Sequence, residues 1–264
     1  MDLGLAGKVA VVTGGSRGIG RATALTFAEE GAAVAICARG SETLQETLVE
    51  IRSRGVNAFG MAVDVTQRAE VESFIEASAE ALGGIDMLIN NVGGSVGKGL
   101  MDSTDEEWID TFDLNLFHAV RTSRAAVPHM RKRRSGSIVV ISSISGLKPA
   151  PGSQYGAAKA AEVFVSGALA MELGPDNIRV NTVSPGSILF PGGGWARRQH
   201  EDPEGFGRFA VEEYPLGRLG TAEEVARAVV FVASPAGSWI NGTNISVDGA
   251  QQQPGMFEKG PVWQ

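Results

Sequence analysis

At 264 residues, 43% of them hydrophobic, the chain is long enough to bury a sizeable core as a single α/β domain, and no linker divides it. Its formal net charge of −7 argues against a nucleic-acid partner, because phosphate contacts need clustered Lys and Arg. One cysteine, Cys37, excludes an intrachain disulfide framework, and the scattered His118, His129 and His200 lack metal-ligand spacing. No signal-type segment or apolar run of membrane length is present, so the expectation is a cytoplasmic protein with no metal and no membrane partner.

The first element is an apolar run at 9–12, which reads as a buried parallel strand. It is followed by Thr13-Gly14-Gly15-Ser16-Arg17-Gly18-Ile19-Gly20 and then a helical pattern over 22–30, with Ala24, Phe27 and Ala28 on one face. Glycines here let the backbone approach a pyrophosphate, and the free amides at a helix N-terminus attract its charge. Gly14, Ser16, Arg17, Gly18, Ile19 and Gly20 are therefore candidate cofactor contacts. The Gly-x-x-x-Gly-x-Gly spacing within TGGSRGIG resembles that of the short-chain dehydrogenase/reductase family.

Further strands are predicted at 33–37, 57–63, 87–89, 137–141, 179–183 and 245–247, with helices between them. The alternation predicts a Rossmann-like, doubly wound parallel sheet covered on both faces. Ligands of such sheets bind outside the carboxyl ends of the strands. After the second strand comes Cys37-Ala38-Arg39. Ala38 stands where an acid would bond the adenosine ribose of NAD, whereas Arg39 and Arg17 suit the 2′-phosphate of NADP. The plainer alternative is that both arginines are solvated surface charges. Cys37 itself reads as a buried structural thiol.

After the third strand, Asp64 and Val65 are placed to hold an adenine edge. After the fourth, Asn90-Asn91-Val92-Gly93 resembles the family's NNAG, with Val92 for Ala. Asn90, Asn91 and Gly93 are taken as cofactor contacts on that resemblance, although Asn and Gly together also make ordinary turns. Asn115, in Phe112-Asp113-Leu114-Asn115-Leu116, matches the family's helix-borne catalytic Asn, which supports a water-linked proton relay. The basic run Arg131-Lys132-Arg133-Arg134 reads as the end of a helix, where cations complement the dipole.

Tyr155 and Lys159 lie four residues apart in an Ala-rich segment, 153–173, so a helix puts both on one face. Upstream, the strand at 137–141 ends in Ser142-Ser143. Aligned with the family pattern, ISSISG selects Ser143 as the serine beside the tyrosine, with Ser142 the competing assignment. The resemblance thus implies a tetrad of Asn115, Ser143, Tyr155 and Lys159. Hydride addition to a ketone leaves alkoxide charge that must be met by a proton. Tyr155 supplies it, the Lys159 ammonium favours the phenolate, and Ser143 holds the substrate oxygen. Tyr155 and Lys159 also face the cofactor, Lys159 through the nicotinamide ribose.

Asn181-Thr182-Val183-Ser184-Pro185-Gly186 resembles the family's stretch beside the nicotinamide, which assigns Pro185 and Gly186 to cofactor binding. Phe190 stands where the family often has a Thr for the carboxamide, and the backbone of Ile188 is expected to replace that contact. Residues 187–214 read as a mobile substrate lid. Within it Trp195, Phe206 and Phe209 wall an apolar substrate or anchor the lid, while Arg197 and Arg198 meet an anionic tail or solvent. Trp239 is expected to pack. The tail at 250–264, with Phe257 and Trp263, suggests docking onto another subunit, and tetramers or dimers are common among similar proteins.

The expected function is NADPH-dependent reduction of a ketone, such as a 3-oxoacyl thioester, because length and motif order resemble 3-oxoacyl-carrier-protein reductases. The alternatives are an NADP-linked dehydrogenase of a secondary, sugar or cyclic alcohol, and a non-catalytic NADP sensor.

Overall fold

The computed structural model describes residues 1–149 and 151–251. In chain order the elements are β1 (Val9–Thr13), α1 (Gly18–Glu29), β2 (Ala33–Ala38), α2 (Ser41–Arg52), β3 (Ala58–Ala62) and α3 (Arg68–Leu82). Then come β4 (Met87–Asn90), α4 (Asp105–Phe112), α5 (His118–Arg133), β5 (Gly136–Ile141), α6 (Ser153–Leu173) and β6 (Ile178–Pro185). The remainder is β7 (Ile188–Leu189), α7 (Gly194–Glu201), α8 (Pro203–Glu213), β8 (Gly220–Thr221), α9 (Ala222–Ala233) and β9 (Asn244–Val247).

Seven strands form one parallel sheet in the order β3-β2-β1-β4-β5-β6-β9. These are the seven strands expected from the sequence, with ends moved by one or two residues. Strand β1 is buried along its whole length, as a sheet with helices on both faces requires. Its side chains alternate: Ala10 and Val12 join Phe27 of α1 and Val229 of α9, while Val11 joins Phe74 of α3 and Met130 of α5. The chain order reverses between β1 and β4. The glycine turn after β1 and the Asn-rich loop after β4 therefore open on one crevice.

The basic run does end a helix. Arg131 pairs with Asp176, Arg133 donates to the Gly83 carbonyl, and Arg134 takes a left-handed conformation that stops α5. Cys37 is fully buried, and burial pushes its thiol up to about 12.

One feature departs from the expectations. Trp239 does not pack: it is 98% exposed, on the turn that follows α9. Segment 187–214, expected as a lid, carries β7, α7 and α8. Its aromatic residues pack on one another: Trp195 stacks on Phe209 at 5.2 Å, and Phe209 meets Tyr214 edge-on at 5.5 Å. Ala210, Tyr214 and Leu219 complete this small separate core. Arg198 covers the outer face of Trp195, 5.0 Å from its ring centre. Among the described residues no helix is long and apolar enough to cross a membrane. Phe257 and Trp263, on which subunit docking was argued, lie outside the described residues.

Candidate active site

The glycine turn has no room for side chains. Gly14 and Gly18 hold positive φ angles of 66° and 54°, which L side chains rarely adopt. A Cβ on Gly14 would lie 2.9 Å from the Val92 side chain, and one on Gly20 would overlap the Gly14 carbonyl and the Asn91 amide. Asn91 fastens the turn: its Nδ2 donates to the carbonyls of Thr13 (3.0 Å) and Gly14 (3.3 Å), and its backbone N–H to Thr13 Oγ1 (3.0 Å). Helix α1 starts at Gly18 without a side-chain cap, so its first amides remain available to an anion beside Ser16 and Ile19. Asn90 turns the other way. Its side chain is buried and bonded to Ser123 Oγ and the Thr122 hydroxyl of α5.

At the adenosine end, Arg17 and Arg39 are both exposed, and neither joins an ion pair among the described residues. No carboxylate replaces Ala38 at the end of β2. Asp64 follows β3 and accepts from the backbone (3.0 Å) and hydroxyl (2.8 Å) of Thr66. These bonds, and then the charge of Arg39, hold its carboxyl below the usual range. Val65 beside it is buried.

Helix α6 brings Tyr155 and Lys159 together one turn apart, with Lys159 Nζ 5.7 Å from the centre of the Tyr155 ring. Tyr155 is half-buried, whereas Lys159 is 2% exposed. The ammonium donates to the Ile141 carbonyl at the end of β5 (2.9 Å) and to Glu162 Oε1 (3.1 Å). Gly93 closes over it: a Cβ there would lie 2.8 Å from Lys159 Nζ and 2.7 Å from Asn115 Oδ1. Asn115 lies on a helix, as the sequence suggests: in a wider π-helical turn, Asp113–Phe117, that joins α4 to α5 without a break, and it is fully buried. Its Nδ2 donates to the carbonyls of Gly94 (2.7 Å) and Thr111 (2.6 Å), and its Oδ1 accepts from the Gly94 amide (3.1 Å). The side chain is thus committed to holding the loop after β4 against α6.

The two serines differ in what they have left to offer. Ser142 is buried and donates its hydroxyl to the Lys159 carbonyl at 2.8 Å. Ser143 is half-buried, and its oxygen accepts from the Ser145 amide at 3.1 Å, which leaves the O–H to donate elsewhere.

Pro185 ends β6, and the Gly186 amide donates to the Val247 carbonyl (3.0 Å). Ile188 is buried in β7, paired with Gly220 of β8. Phe190 leans back onto the phosphate turn, so that a Cβ on Gly18 would lie 2.9 Å from its ring. Gln251 straps this side together, bonding Ser187 Oγ and the Tyr214 hydroxyl, both at 3.1 Å.

Two buried titratable residues behind the site escaped sequence reading. Glu162 sits three residues after Lys159, and that helical spacing, which puts the acid beside the lysine, was its only signal. His118 follows Asn115 by three residues. Its Nδ1 lies 3.1 Å from the Asn115 carbonyl and its Nε2 3.1 Å from Thr13 Oγ1. The pattern suits a neutral imidazole that donates through Nδ1 and accepts through Nε2. Burial, reinforced by the Lys159 charge, pushes it down to about 4, against hydrogen bonds that pull it up.

Comparison with known proteins agrees with this geometry. A family model described as enoyl-(acyl carrier protein) reductase matches residues 14–250. The chain is 40% identical over 259 residues to an oxidoreductase of Bacillus subtilis, YvrD, covering 94% of this chain and 98% of the relative. It is 36% identical over 246 residues to a 3-oxoacyl-[acyl-carrier-protein] reductase of Thermotoga maritima, covering 93% and 98%. Among solved structures, L-sorbose reductase of Gluconobacter frateurii, complexed with NADPH and L-sorbose, superposes with a TM-score of 0.91. That pair shares 35% identity over 96% of this chain and all of the other. The chain belongs to the short-chain dehydrogenase/reductase family, oxidoreductases of CH–OH and C=O groups that bind a nicotinamide cofactor.

Proposed function

We propose that the protein is an NADPH-dependent reductase of ketones. The observation that carries the reading is the half-buried Tyr155 beside a nearly sealed Lys159 ammonium, at the crevice where the glycine turn opens. The residues present fit the cofactor: a turn too tight for any Cβ, an uncapped α1 N-terminus for the pyrophosphate, and Arg17 with Arg39 for a 2′-phosphate. Asp64 and Val65 border the adenine side, and the loop at Asn91 and Gly93 runs from the glycine turn to Lys159, while the Asn90 side chain faces α5 and not the cofactor. Pro185, Gly186 and the backbone of Ile188 border the nicotinamide. When bound, the cofactor supplies the hydride or accepts it.

The chain's own residues do the rest. Ser143 donates its free O–H to the substrate oxygen and fixes it beside Tyr155. As negative charge builds on that oxygen, the Tyr155 hydroxyl delivers a proton to it. Two of the three N–H groups of Lys159 are spent on Ile141 and Glu162, which leaves one for the ribose. Asn115 keeps the loop after β4 pressed onto this centre. In the reverse direction Tyr155 acts as the base.

Two substrate classes are favoured. The similarity to a 3-oxoacyl-[acyl-carrier-protein] reductase supports a 3-oxoacyl thioester, and the similarity to L-sorbose reductase supports a keto sugar, or the corresponding alcohol in the oxidative direction. The test is oxidation of NADPH and NADH against 3-oxoacyl thioesters, cyclic ketones, diketones and keto sugars, with Arg39→Asp beside the parent. We expect turnover with NADPH that falls about tenfold or more in Arg39→Asp, the loss of one charge-assisted phosphate contact. Equal use of both cofactors by parent and variant would reject the NADP preference. Cofactor binding without turnover of any ketone or alcohol would favour a non-catalytic sensor.

A further inference from the structure

Lys159 is not the only charged group sealed behind Tyr155. The Glu162 side chain is 1% exposed, and its two oxygens lie 3.1 Å from Lys159 Nζ. Only Oε1 receives a well-aligned hydrogen bond; Oε2 has no such partner. Glu162 also lines a narrow cavity of about 10 Å³ between α5 and α6, whose walls are mostly apolar and include Val140, Val165 and Leu169. A carboxylate is costly in such a place unless an opposite charge holds it, and a sealed ammonium is equally costly alone. Each therefore needs the other.

We propose that Glu162 is a positioning residue for Lys159, holding the ammonium toward the end of β5 and balancing its charge so that only part of its field reaches the Tyr155 oxygen. The inference rests on the reading of Tyr155 and Lys159 given above.

The neighbouring charges are few. Burial pushes the Glu162 carboxyl up, against the pull of Lys159 and of Ser142 at the end of β5. From α5, His118 feels the Lys159 charge and stays neutral above about pH 4, and Arg121 pairs with Asp113 of the adjoining turn. On α4, Glu107 closes the capping box with Thr104, while Asp105, Glu106 and Asp110 are exposed. On β6, Arg179 is bonded to the carbonyls of Val232, Ala233, Ser234 and Ile240, and Asp176 after α6 pairs with Arg131. Among the described residues Lys159 is thus the one charge that acts on Glu162.

Glu162→Gln removes the charge but keeps the size and the accepting oxygen, so the ammonium stays in place with its field unopposed. The chain contains two tyrosines, Tyr155 and Tyr214, so phenol ionisation can be followed by near-ultraviolet absorbance in the protein without cofactor or substrate. Tyr155→Phe identifies which transition is which. In Glu162→Gln the Tyr155 transition should move to lower pH by about one unit, the scale of a full charge on the order of 10 Å away at an effective dielectric of ~20. The pH midpoint of alcohol oxidation should move with it. A transition at the parental pH in a folded Glu162→Gln protein overturns the proposal. If that variant does not fold, Glu162→Met serves, since it also removes the charge and suits the apolar walls of the cavity; no shift there overturns the proposal equally. Because the titration uses neither cofactor nor substrate, it stands or falls apart from the turnover panel.

Discussion

The corner around Lys159 and the segment at 190–213 are built in opposite ways. Around Lys159 the polar groups are tied to several elements: Ile141 at the end of β5 and Ser142 just after it, Gly93 and Gly94 after β4, and Asn115 between α4 and α5. From there the network runs on through His118 and Thr13 to the glycine turn. Over residues 190–213, by contrast, Ala210 and Gly193 are the only buried residues, and the aromatic side chains pack on each other. Proton transfer tolerates little displacement of its partners, so its residues are fixed by several strands at once. We propose that this segment, with its own small core, shifts as a unit and serves as a substrate lid that adapts to different ketones. The comparison implies that damage to the corner stops chemistry, whereas damage to the lid changes which substrate is held.

Three measurements test that contrast. The largest effect belongs to Tyr155→Phe, which removes the proton donor and alters no contact in the core. It should lower kcat by about 10²–10⁴-fold with thermal stability and NADPH affinity retained. A loss of less than tenfold would place proton donation elsewhere. Next comes the corner's response to acid. His118 titrates near 4 when folded and near 6.5 when unfolded, so the unfolded chain binds more protons between those values. Its contribution to stability is complete above about pH 6.5 and is lost as pH falls toward 4, by roughly 3 kcal/mol. Denaturant unfolding of parent and His118→Gln across this range should show the parent losing stability more steeply; parallel curves would refute the assignment. The smallest effect is expected from Trp195→Ala, which opens the aromatic cluster in the lid. KM for the best ketone should change several-fold while kcat and the stability of the main sheet stay within about twofold and ~1 kcal/mol. A collapse of kcat instead would show that the lid and the corner form one unit.

The phosphate turn was readable because each of its requirements is local. Gly14, Gly18 and Gly20 permit a backbone path and a close approach that no side chain allows, and the flanking strand and helix carry their own periodicities. The Tyr155–Lys159 pair was readable for a similar reason, since one helical turn aligns them whatever else is nearby. The choice of Ser143 over Ser142 was readable only through the family pattern, because physically it depends on the Lys159 carbonyl, which takes up one hydroxyl and leaves the other. Trp239 misled for a related reason: its hydrophobicity suggests burial, but whether a neighbour covers it is decided by chain packing.

By itself, then, the sequence determined the seven strands of a parallel sheet, the carboxyl-end side on which a ligand binds, and the residue types that meet there. Strand burial, glycine turns and helical spacing are short-range properties that survive without knowledge of neighbours. Only the tertiary structure decided that Asn115 lies in a wide turn gripping Gly94, that Phe190 leans on Gly18, and that Glu162 and His118 stand behind Lys159. Each of these joins residues far apart in sequence, and their burial, partners and charge states follow from that assembly.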